Sequence, residues 1–116
     1  MLSIMKGRAV EEVLEKKVGQ LYRDCLGHEL ANVSCKLTND LDLMIFMEGV
    51  RSPLESFLAQ QGKPKTAQEV NITIGNILIE RLSRTLIEEM DLSVCHIVRL
   101  RPFHPDQMSL IATLDG

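Results

Sequence analysis

The sequence has no tryptophan, one tyrosine and three phenylalanines among 116 residues. Stacking platforms for bases are therefore scarce. A formal net charge of −3 gives the chain no general attraction for phosphate backbones. Lys36, Arg99 and Arg101 are read onto the outer face of a sheet, but without interleaved aromatics they make no nucleic-acid surface. Cysteine is equally sparse: Cys25, Cys35 and Cys95 stand singly, with no CxxC pair. That excludes a disulfide framework and a zinc ribbon. The opening "MLSIMKGRAV" reaches Lys6 after five residues, too short for the apolar stretch of a secretory signal. The expectation is a reduced, cytoplasmic setting. The longest unbroken apolar run, Leu43 to Met47, falls far short of the ~20 residues that span a bilayer.

What is present is periodicity. From Ala9 to Leu26 the residues Val10, Val13, Leu14, Val18, Leu21, Tyr22 and Cys25 recur at three and four, predicting an amphipathic helix stopped by Gly27. Ala31, Val33, Cys35 and Leu37 then alternate with polar residues. Asn39-Asp40 makes a turn, and Leu41, Leu43, Ile45 and Met47 resume the alternation as a hairpin. In "SPLE", Ser52 is a natural N-cap, Pro53 suits the first helical position, and Glu55 completes a capping box for a short helix. Gly62 and Pro64 break that helix. Thr66 with Glu69 reads as a second capping box, opening a long helix from Ala67 to about Met90. Val94, His96, Val98 and Leu100 are expected on the inner face of a third strand. Met108, Leu110, Ala112 and Leu114 take that face on a fourth. The fold class is α+β, a two-layer sandwich in the order α-β-β-(short α)-α-β-β. Its helices pack on one face of a four-stranded, mainly antiparallel sheet, as a single domain over residues 1–116.

Several motifs invite chemistry. His104-Pro105-Asp106 is the tripeptide of J-domain cochaperones, which carry it in a loop between helices. Here strands lead in and out, and Pro102 and Pro105 bracket the reversal, so it reads as a hairpin turn. No His or Cys pair has metal-ligand spacing, and Cys95 and His96 point to opposite faces of a strand. His96 is read as a core histidine beside Val94 and Val98. "GVRSP" lacks the second glycine of a nucleophile elbow, and Ser52 is accounted for by capping. A couple of Cys25 or Cys35 with His28 or His96 defines the enzyme alternative, although single cysteines on apolar faces are ordinarily small core residues. "QQGKPKT" lacks the first glycine of a phosphate loop and has Pro64 in the hydroxyl position. No cofactor is expected.

The anomaly is apolar excess. Met44 and Phe46 lie out of phase with Leu43, Ile45 and Met47, and Ile97 and Ile111 likewise point away from the expected core. The long helix carries Val70, Ile74, Ile77, Leu78 and Leu82 on one stripe, with Ile72, Ile79 and Ile87 off it. A helix apolar around most of its girth is buried on more than one side. Two readings follow: a self-association surface making a homodimer, or an apolar cleft for a fatty acid or other hydrophobic small molecule. Met44, Phe46, Leu54, Phe57, Leu58, Ile74 and Leu78 are the candidate ligand-binding or interface residues. The expected function is non-enzymatic binding.

The chain from Gly49 onward resembles the MpsC-like family of small bacterial proteins. The family pattern is a hairpin ending in glycine, Ser/Thr-Pro-x-Glu-x-x-Leu, a long helix and two closing strands. Gly49, Ser52-Pro53, Glu55 and Leu58 fit it, as does "LIERLSRTLIEEMDLSVCHIV". The resemblance implies association with a sodium-translocating, membrane-potential-generating system and supplies no catalytic residues. With no span of its own, such a chain would be a soluble accessory subunit with a membrane-protein partner. It departs from the pattern in the loop Gly62 to Lys65 and in its proline-flanked last turn.

Overall fold

The computed structural model describes residues 8–38, 41–101, 104 and 106–114. The chain runs α1 (Arg8–Leu26), β1 (Asn32–Thr38), β2 (Asp42–Glu48), α2 (Pro53–Gln60), α3 (Pro64–Glu88), β3 (Val94–Leu100) and β4 (Gln107–Leu114). The α+β order read from the sequence is the order observed. The strands form one sheet in the order β1-β2-β4-β3, antiparallel at every junction. The two hairpins thus join through β2 and β4, and α1 and α3 pack on the same face. The predicted Asn39-Asp40 turn and the prolines Pro102 and Pro105 lie outside the described residues.

The inner layer is built as the alternation dictates. Cys35, Leu43, Ile45, Met47, Met108, Leu110, Ala112 and Leu114 are buried beneath Val10, Leu14, Val18 and Tyr22 of α1 and Leu78, Leu82 and Leu86 of α3. Each fully buried aliphatic contributes about 1.5–3 kcal/mol. Helix α1 ends as expected: Gly27 takes φ +75° and donates to the Arg23 carbonyl at 2.8 Å. An ion pair between Lys17 and Glu89, at 2.8 Å, ties α1 to the far end of α3.

Helix α3 starts at Pro64, not Ala67, and its N-cap is Lys63 without a side-chain bond. The Thr66–Glu69 box therefore does not form. The preceding turn decides the start, because Lys63 donates its N–H to the Leu58 carbonyl at 2.9 Å, placing Pro64 at the first helical position. The buried positions of α3 are Ala67, Gly75, Leu78, Leu82 and Leu86. They form one stripe, its early part against α2 and its later part against the sheet. Ile77, expected on the inner stripe, is exposed.

The third strand corrects the sequence reading more deeply. Val94 faces Leu114 while His96 already faces Thr113, so Cys95 is the extra residue of a bulge. Beyond it the phase reverses. Ile97 and Arg99 pair with Ala112 and Leu110 on the inner face, whereas His96, Val98 and Leu100 lie outside. His96 is exposed rather than a core histidine, and Arg99 is not on the outer face.

Candidate functional site

The register fixes the outer face row by row, because residues directly opposite on neighbouring strands share a side. One middle row is Lys36, Met44, Ile111, Val98; the next is Ser34, Phe46, Ser109, Leu100. Five large apolar side chains thus adjoin at the centre, with Met44 42% and Val98 47% exposed. The flanking rows are polar: Thr38, Asp42, Thr113 and His96 at one end, Asn32, Glu48 and Gln107 at the other. Among the described residues no helix covers this face.

The seven predicted residues are divided by the sheet. Met44 and Phe46 stand on the outer face. Leu78 lies in the core on the opposite side, and Ile74 packs against it. Leu54 and Phe57 are exposed on α2, Phe57 at 57%, and Leu58 is half-buried. They do not form one continuous wall. Met44 and Phe46 lie on the face of the sheet away from the helices, so they and the α2 and α3 residues cannot line one cleft.

Beneath α3 lies a polar link that periodicity does not reveal. Glu55 is 3% exposed. Its capping box is formed as predicted: the carboxylate accepts from Ser52 N at 2.8 Å, and Ser52 Oγ accepts from Glu55 N at 3.2 Å. The other carboxylate oxygen accepts from Asn71 Nδ2 at 2.8 Å, and the Asn71 side-chain oxygen accepts from the Arg99 guanidinium. An amide therefore relays a buried anion to a cation across α2, α3 and β3. Burial lowers the pKa of Arg99, and the Glu55 carboxylate opposes that shift. Each buried charge is satisfied, as its desolvation requires.

The segment Gly49–Ser52 is held from several sides. Asp106 accepts from Gly49 N and Val50 N through its main-chain oxygen, at 2.9 and 3.2 Å, and from Arg51 N through its carboxylate at 3.0 Å. Tyr22 donates its hydroxyl to the Val50 carbonyl, and His28 Nε2 lies 3.2 Å from the Gly49 carbonyl oxygen. The end of the His-Pro-Asp tripeptide thus pins the β2–α2 connection, inside a β3–β4 hairpin.

Two glutamates of α1 serve the sheet edge. Glu15 accepts from Cys35 N and Glu11 from Leu37 N, each at 3.0 Å. Their i, i+4 spacing on α1 was visible in the sequence as an acidic row, but only the packing of α1 beside β1 gives it a role. Between these elements an open groove of about 510 Å³ is lined by Glu15, Lys16, Gln20, Arg23, Glu29 and Val33. It is charged rather than apolar. Among the described residues no cluster of three or more His, Cys, Asp or Glu could hold a metal ion. Cys35 is a buried thiol whose pKa is pushed up to about 12, by desolvation first and then by Glu15 and Glu11.

Fold and site define a two-layer α+β domain with an apolar sheet face that no described helix covers. Residues 6–115 match the family model described as Na+-translocating membrane potential-generating system (MpsC), and the chain belongs to that family. No curated protein and no solved structure matches it. Among the described residues no helix is long and apolar enough to cross a membrane.

Proposed function

We propose that the chain is a non-enzymatic binding domain whose working surface is the outer sheet face centred on Met44, Phe46, Val98, Leu100 and Ile111. The observation that supports it is the grouping itself: five apolar side chains adjoin, bordered by polar residues on three sides and reaching the β3 edge, where scattered single exposures would be ordinary. Its occupant is apolar, whether a hydrophobic small molecule or another protein surface. Family membership supports a second reading, in which this surface serves an accessory subunit of a membrane-potential-generating system.

An environment-sensitive hydrophobic dye, titrated into dilute and cooperatively folded protein, tests the first reading. Binding should occur and should weaken several-fold in Met44→Lys. Equal binding by wild type and variant, or none by either, removes the sheet face from consideration. Co-purification of the tagged chain with integral membrane proteins, lost in the same variant, tests the second.

A further inference from the structure

We infer that the occupant of the outer sheet face is a second copy of this chain, packed sheet against sheet. This rests on the reading above, that the face is a binding surface, and adds what binds there.

Shape narrows the choice. Pockets for small apolar molecules are concave and enclose most of the ligand. The outer face consists of parallel rows on four antiparallel strands and has no flanking wall among the described residues. A broad apolar face of this kind fits another broad face, and sheets pack in this way with strand directions about 30° apart and a separation of ~10 Å. The product is a four-layer α/β/β/α assembly with both sets of helices outermost.

Charge narrows it further. The border carries both signs, Lys36 beside β2 and Asp42 and Glu48 at the two ends of β2. Asp42 and Glu48 oppose an anionic lipid surface, which selects for clustered basic residues. A border of mixed sign gives each copy both halves of an ion pair to offer its twin, as a self-complementary two-fold surface requires. An apolar patch with polar rows at both ends of its strands also matches the ordinary anatomy of a protein interface.

Area suits a weak, reversible dimer. Four strands at ~4.8 Å spacing and seven residues at ~3.3 Å rise cover about 19 × 23 Å, roughly 440 Å² as a flat footprint on each copy. Two such footprints give about 880 Å², below the ~1,200 Å² of standard interfaces and within the range of weak, transient ones. Growth of the sheet through its β1 edge is blocked, because Glu11 and Glu15 already take the N–H groups of Leu37 and Cys35.

Sedimentation equilibrium of the full chain, from nanomolar to submillimolar concentration, tests the inference. A reversible dimer is expected. Met44→Lys and Val98→Lys should each raise its Kd at least tenfold, with folding checked by circular dichroism. Val98→Thr keeps the branched strand-compatible shape and should raise Kd several-fold even if a lysine proves disruptive. Ile72→Lys, exposed on α3 in the helical layer, should leave Kd unchanged. Bound dye should be displaced as concentration passes the dimer Kd. A dimer indifferent to Met44→Lys and Val98→Thr, as pairing through the β3 edge would be, overturns the inference. So does a chain that stays monomeric throughout. A monomer that still binds dye in a Met44-dependent way leaves the apolar binding surface standing, whereas one indifferent to dye removes both.

Discussion

The Arg99 guanidinium fills the space that a side chain on Gly75 would need. An ideal Cβ at Gly75 falls 2.5 Å from Arg99 Nη1, 3.4 Å from its Cζ and 3.6 Å from Met108 Cε. The gap also uncovers the Asn71 carbonyl, four residues back along α3, which accepts from Nη1 at 3.4 Å. A long cationic side chain on the inner face of β3 is thereby accommodated beneath a helix, with its charge led through Asn71 to the buried Glu55.

Gly75→Ala should therefore destabilise the protein, despite the ~1 kcal/mol by which alanine favours an exposed helix interior. The methyl group displaces a flexible guanidinium, but one held at Asn71, so a net loss of about 1–2 kcal/mol is expected from the broken charged hydrogen bond. Urea unfolding of Gly75→Ala, Arg99→Ala and the double variant forms the test. The cost of Gly75→Ala should shrink or change sign once Arg99 is absent. An additive cycle would show that the two residues do not compete for the same space.

How much of this was legible in the sequence depended on range. The capping box at Ser52 and Glu55 lies within four residues and formed as read. Thr66 and Glu69 match the same pattern, yet the turn through Gly62 and Lys63 starts α3 three residues earlier, at Pro64. Strands β1, β2 and β4 followed their alternation. Strand β3 did not, because one inserted residue at Cys95 turns every later side chain to the other face. The pattern Val94, His96, Val98, Leu100 looks like an inner face only if no bulge is present. The outer apolar face was half visible: Met44, Phe46 and Ile111 were recognised as out of phase, whereas Val98 and Leu100 were assigned inward by the unseen bulge. The link from Glu55 through Asn71 to Arg99 spans 44 positions of sequence, and no local spacing announces it.

Glycine demands differ sharply between two positions of similar backbone. Gly49 and Gly62 adopt φ +81° and +75°. A Cβ at Gly49 meets Ala31 N at 2.7 Å and Ala31 Cβ at 3.0 Å, whereas none of the described atoms lies within 4 Å of one at Gly62. Gly62→Ala should cost about 1 kcal/mol, the strain of left-handed backbone alone. Gly49→Ala adds a main-chain clash beside the Ala31 N–H to Glu48 carbonyl bond of 2.9 Å and should cost about 3 kcal/mol or more. Denaturant midpoints of the two variants check this, and equal losses would mean that Ala31 yields freely.

The buried thiol of Cys35 sets an alkaline limit on stability. In the unfolded chain a cysteine ionises near ~8.5, whereas in the folded protein burial, helped by Glu15 and Glu11, holds Cys35 to about 12. Between these values the unfolded state has lost a proton that the folded state keeps, so unfolding is favoured as pH rises. Below the unfolded value both states are protonated and the stability is fully present. It should decline through the window from ~8.5 to about 12, with a slope of order 1 kcal/mol per pH unit from this one group. Tyr22 is shifted the same way by burial, so the total slope is not specific to Cys35. The difference between wild type and Cys35→Ala is. Urea midpoints at pH 8 and pH 10 should fall further in wild type than in the variant. The same thiol should resist alkylation in the native protein at pH 8 and react only at the rate of unfolding. Rapid native modification, together with parallel pH profiles, would place Cys35 in contact with solvent and overturn the account of α1 sealing the β1 edge.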